Sequence, residues 1–128
     1  MVIKKFSSGA PLEEKMGYSR AVRAGDFIFI GGTTSVLPDG CVFGEGDSYA
    51  QVKFILEKQL KILEEAGGKK EDIYEVFMFL TPDFDKSGMK AYTEIFHEIK
   101  PLCTAVTVAS LNRPAQLVEI QISAAVQE

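Results

Sequence analysis

The sequence has 128 residues, of which 46% are hydrophobic and 25% charged, with a formal net charge of −4 at pH 7. A chain of this length can bury roughly two-thirds of the surface its unfolded form exposes, and residues 1–128 read as a single domain. Lys and Arg are scattered through an acidic chain, no run reaches the roughly 18 apolar residues of a membrane span, and the opening residues lack the apolar centre of a secretion signal. The expectation is a cytoplasmic protein with no membrane contact and no call for a nucleic-acid partner. One histidine and two distant cysteines, Cys41 and Cys103, leave no raw material for a metal site or a structural disulfide, and no other cofactor is expected.

In chain order, "VIKKFSS" reads as a short first strand, and "SRAVRAGDFIFIGG" as a hairpin turning at Gly25-Asp26. Ser48 and Gln51 form a capping-box pattern ahead of Val52, Ile55, Leu56, Leu60 and Leu63, which recur at helical spacing until Gly67-Gly68. The opposite face of that helix carries Lys53, Glu57, Lys61 and Glu65, a solvated pattern. "DIYEVFMFL", residues 72–80, is apolar in both phases of the alternation and predicts a strand covered on both faces. Met89, Tyr92, Phe96 and Ile99 then mark a second helix stopped by Pro101. Two strands close the chain, the first beginning near Cys103, the second alternating Val118, Ile120 and Ile122 with Glu119, Gln121 and Ser123.

The resulting order, βββαβαββ, predicts an α+β fold: a mixed sheet with two helices on one face. Two helices cannot cover both faces, so the other is expected to be buried against copies of the same chain.

Several residues carry two readings. Glu119 suits a solvated strand face or a site carboxylate. Cys103 suits a small buried residue at a strand start, since free cysteine favours burial. Tyr18 either packs or lines a cleft.

Three segments, "GYSRAVRAGDFIFIGG", "DIYEVFMFL" and "PLCTAVTVASLNRPAQLVEI", together resemble the RidA/YjgF family over nearly the whole chain. The resemblance implies a chorismate-mutase-like fold, a homotrimer whose sheets line a central barrel, and clefts between subunits that take a small molecule. Archetypal members hydrolyse enamines and imines such as 2-aminoacrylate and 2-iminobutanoate to keto acids and ammonia. An arginine at the head of the fifth strand clamps the substrate carboxylate, and a glutamate on the last strand lies beside the hydrolytic water. Carried over residue by residue, Glu119 falls on that glutamate and Tyr18 on a pocket tyrosine. Cys103 stands where the arginine would be, Ala105 follows it beside a charge-stabilising donor, Gly31 replaces a serine, and Met89 an asparagine. The implied function is hydrolysis of an imine, enamine or related C–N substrate, with the archetypal deaminase activity weakened because a thiol has neither the charge nor the fork of a guanidinium. The alternative is a non-catalytic trimer that binds metabolites. Arg20, Arg23 and Arg113 are the arginines available to replace the clamp.

Overall fold

The computed structural model describes residues 2–127. Its strands are β1 (Ile3–Phe6), β2 (Ala21–Ala24), β3 (Phe27–Thr33), β4 (Ile73–Leu80), β5 (Leu102–Thr107) and β6 (Val118–Ala125). Its α-helices are α1 (Pro11–Met16), α2 (Ser48–Glu65) and α3 (Ser87–Phe96), with a 3₁₀ turn at Lys70–Asp72. The six strands form one sheet in the order β1-β2-β3-β6-β4-β5, antiparallel except for the β4–β5 pair. The mixed α+β architecture expected from the element order is therefore present.

Alternation decides which face each strand buries. Ile28 and Ile30 of β3, Val76 and Met78 of β4, and Val118, Ile120 and Ile122 of β6 are all buried. They pack in one core with Val52, Ile55, Leu56 and Leu63 of α2 and Ala91 and Phe96 of α3. Each fully buried aliphatic side chain of this kind contributes roughly 1.5–3 kcal/mol. The charged stripe Lys53, Glu57, Lys61 and Glu65 is exposed, as its spacing predicted.

The other face of the sheet is uncovered within the chain. Phe27, Phe29, Tyr74, Leu102 and Val106 are exposed, and Phe77 and Phe79, ring centroids 4.9 Å apart, are only half-buried. The double-sided burial expected for β4 is thus half met by its own chain.

Three local readings need correction. The helix α1 joins the two expected ones; at six residues it is too short to show a period, although Pro11 at its first turn and Gly17, left-handed at φ 85°, punctuate it. The α2 cap is Asp47, whose carboxylate accepts from the Ala50 amide at 2.9 Å, and the Ser48–Gln51 capping box does not form. Gln51 instead points inward, its amide donating to the carbonyls of Gly44 and Ala115 while its oxygen accepts from the Leu117 amide. Cys103 is exposed, because β5 is the edge strand of the sheet and is solvent-facing along its whole length.

One irregularity sets up the functional region. Between Ile30 and Thr33, three steps along β3 face two along β6, from Ile122 to Ile120, so Gly31-Gly32 forms a bulge. Burial changes phase across it: Ile28 and Ile30 point to the core before the bulge, Thr33 after it. The Ile120 carbonyl receives a hydrogen bond at 2.8 Å from the buried Gln59 amide of α2.

Candidate functional site

The bulge brings Gly32 against Glu119. A β-carbon on residue 32 would stand 2.5 Å from Glu119 Oε2, so only glycine leaves the carboxylate its position. Glu119 points to the face opposite the buried Val118 and Ile120, and no side chain or backbone donor hydrogen-bonds its carboxylate among the described residues. Burial pushes this carboxyl above its ordinary value, against the pull of the Arg20 charge.

Arg20 anchors the wall of the same cleft. It is 8% exposed, and its guanidinium donates to Glu13 Oε2 at 3.3 Å, to the Gly32 carbonyl, to Thr33 Oγ1 and to the Tyr18 hydroxyl at 3.3 Å. It also stacks over the Tyr18 ring, 5.3 Å from its centroid. Glu13, on α1 and 4% exposed, completes the buried pair. Burial alone would raise the Glu13 carboxyl, but hydrogen bonds from the Ser8 and Ser7 hydroxyls and the Ser8 amide, with the charge of Arg20, outweigh it and hold the group below its ordinary value. Tyr18, Arg20, Gly32, Thr34, Asn112 and Glu119 together line a cavity of about 340 Å³, with Leu12 and Met16 of α1 at its rim. A carboxylate whose proton affinity is raised by burial, beside a hydroxyl and a fixed cation, can exchange a proton with a bound water or ligand.

The other nominated residues lie elsewhere within the chain. Cys103 and Ala105 are on β5, two strand spacings or about 10 Å across the sheet from β6. Cys103 is in register with the core-facing Val76, so its thiol turns toward the helices and meets the Tyr92 hydroxyl of α3. Burial and that hydrogen bond push the Tyr92 phenol up. Met89 packs against the core. Gly31 donates its amide to the Arg20 carbonyl at 2.8 Å and does not line the cavity. Of the three spare arginines, Arg20 is in the cleft, Arg23 bonds the Gly25 and Ala66 carbonyls away from it, and Arg113 lines a neighbouring cavity. Sequence reasoning missed Gly32 and the Glu13–Arg20 pair; a Gly-Gly step inside an apolar strand was the available signal for the first.

The family described as Endoribonuclease L-PSP matches residues 9–126. A RutC family protein of Pyrococcus horikoshii is 37% identical over 119 residues, covering 91% of each chain. The 3-aminoacrylate deaminase RutC of Acinetobacter baylyi is 31% identical over 104 residues, covering 80% of this chain and 82% of its own. Among solved structures, a Mycobacterium tuberculosis member of the YjgF/YER057c/UK114 family superposes with a TM-score of 0.85 at 30% identity, covering 98% of this chain and all of that one. Sequence and fold agree along almost the full length, and the chain belongs to the RidA/YjgF family.

Proposed function

We propose that the Glu119 cleft hydrolyses a small imine or enamine, releasing ammonia. The observation that carries this reading is a partly buried carboxylate with a raised pKa and no protein donor, set over a glycine beside Tyr18 and Arg20. A base whose pKa moves toward neutrality is better matched to moving protons at physiological pH. Water held by Glu119 attacks the C=N carbon of the protonated imine and gives its proton to the carboxylate, forming a neutral carbinolamine. Glu119 returns that proton to nitrogen, then takes the hydroxyl proton as the C–N bond breaks and the carbonyl forms; ammonia leaves with that proton as ammonium, restoring the carboxylate. The deaminase name of the Acinetobacter relative supports the substrate class.

Arg20, the one cation lining the Glu119 cleft among the described residues, already directs donors at Glu13, Gly32, Thr33 and Tyr18, so the cleft holds no fork left open for a substrate carboxylate. The favoured substrate is therefore less acidic than an amino-acid imine. The uncovered aromatic face favours assembly into a homotrimer, which would set the cleft beside a neighbouring subunit. The same lack of a clamp favours a second reading, a trimer that binds a metabolite without turning it over.

Ammonia release from freshly generated imines, acidic and neutral, measured for the wild-type protein and Glu119→Gln, tests the proposal. Turnover of a neutral imine that falls at least about 100-fold in the variant supports it. Equal rates, or binding without turnover for the whole panel, would transfer the cleft to the second reading.

A further inference from the structure

Beyond Tyr18 and Arg20 lies a second cavity of about 230 Å³, which shares Tyr18, Arg20, Thr34 and Asn112 with the Glu119 cleft. Its charges run against the rest of the molecule. Lys15, Arg20, Lys58 and Arg113 line it against the single carboxylate of Asp39, in a chain whose net charge is −4. Of these four cations only Arg20 has an ion-pair partner among the described residues. Asp39 is engaged with its own loop, accepting from the Cys41 amide at 2.9 Å.

Lys58 is the most telling member. It projects from α2, partly buried, and no acceptor hydrogen-bonds its ammonium among the described residues. Burial and the charge of Arg20 push it below its ordinary value. Glu13 opposes that shift in part through its charge but makes no bond to the ammonium. An ammonium half withdrawn from water with no hydrogen-bonded anion is costly, and a bound anion would offset that cost. The facing wall is fixed in place. Arg113 donates to the Gly40 carbonyl at 2.7 Å, and its own amide donates to Gln116 Oε1 at 2.9 Å. Gln116 is 2% exposed and reaches Thr34 Oγ1 at 3.0 Å. Arg113 therefore presents its remaining guanidinium donors from a held position rather than from a free surface side chain.

We propose that this cavity is a binding site for a small, multiply charged oxyanion, a phosphate ester or a di- or tricarboxylate, held by Lys58 and Arg113 with Thr34 and Asn112 as neutral partners. The site is distinct from the Glu119 carboxylate and does not depend on the reaction proposed there.

Isothermal titration calorimetry in phosphate-free buffer at low salt, with pyrophosphate and with citrate, tests it. The expected result is saturable binding of at least one probe, weakened about 10-fold or more in Lys58→Met and in Arg113→Met, the loss of one charge-assisted contact. Lys58→Arg should retain binding, and Glu119→Gln, which removes a negative charge next to the shared Arg20 but no residue lining the cavity, should not weaken it. Thermal melts supply a second readout: apo Lys58→Met should melt no lower than wild type, because a half-buried charge without a hydrogen-bonded partner has gone, and should lose the ligand-induced rise. Preference for pyrophosphate assigns a phosphorylated ligand, and preference for citrate a carboxylate. The proposal is overturned by the absence of saturable binding for both probes, by affinity unchanged in both methionine variants, or by equal weakening in Lys53→Met on the exposed face of α2. An RNA oligomer that displaces either probe at lower concentration would overturn the small-molecule assignment.

Discussion

Glu119 Oε2 occupies the space that a β-carbon of residue 32 would need, the two lying 2.5 Å apart if one were built. The obstacle is the end of a flexible side chain, so Gly32→Ala should move the carboxylate and leave the fold intact. The expected stability change is under about 1 kcal/mol, while a base displaced by about 1 Å should lose on the order of 100-fold in kcat/KM. Thermal unfolding and steady-state rates on the same preparation check both. A large drop in Tm with unchanged kcat/KM would remove the contact from the mechanism.

The two carboxylates of this region should push stability in opposite directions with pH. Glu119 has a raised pKa, so the folded protein holds its proton longer than the unfolded chain does, and its burden appears as pH rises. Glu119→Gln should therefore be more stable than wild type near pH 7, with the difference gone below about pH 4. Glu13 has a lowered pKa, so its contribution is present above the unfolded value and lost as pH falls through the folded one. Glu13→Ala leaves Arg20 buried without its partner and should cost about 3 kcal/mol near neutrality, less in acid. Urea unfolding of the three proteins across this range would reveal either sign as wrong.

Cys103 lies away from the Glu119 cleft of its own chain, so in a homotrimer that seats a neighbouring copy's β5 at that cleft, Cys103→Arg should raise kcat/KM for carboxylate-bearing imines such as 2-aminoacrylate by roughly 10- to 150-fold, the value of one charge-assisted contact. The gain should vanish when Glu119→Gln is added. Keto-acid formation by the wild type, both single variants and the double variant makes the comparison. Wild-type turnover equal to that of Cys103→Arg would mean that the acid is already clamped elsewhere.

The exposed aromatic face should be an interface. Light scattering coupled to size exclusion should give about three times the 14.1 kDa chain mass. Phe29→Glu or Phe79→Glu, placing a charge in that face, should release smaller species and lower the melting temperature. A wild-type monomer persisting at micromolar concentration would leave the face unexplained and the trimer reading untenable.

Much of the sheet was legible because its strands bury alternate residues: Val118, Ile120 and Ile122 announce their face without help from the rest of the chain. The longer helices were legible for the same reason, through Val52, Ile55, Leu56 and Leu63. What stayed hidden depends on contacts between distant segments. Gln51 and Ser48 fit a local capping pattern, but Gln51 is drawn inward by Ala115 and Leu117, far along the chain. The site shares this limit. Tyr18 and Glu119 could be nominated from the resemblance, yet the role of Gly32 arises from a bulge whose register is set against β6, and Glu13 meets Arg20 only because α1 folds back on the start of β2. The exposure of Cys103 follows from strand order, which no periodicity encodes.

The three hydrogen bonds of Gln51 have a further consequence, for the order in which the molecule is made. They tie the turn ahead of α2, at Gly44, to Ala115 and Leu117 on the segment entering β6, across sequence separations of 64 and 66 residues for the last two. Contacts of such range form late, after the chain between them has collapsed. Asn112 and Arg113 lie just upstream of that tie, so the loop bordering both cavities takes its final shape only once α2 is seated on the sheet. Local opening should run in reverse, with the amides around Ala115 exchanging their hydrogens before those of β6, so that the binding region loosens while the sheet still holds.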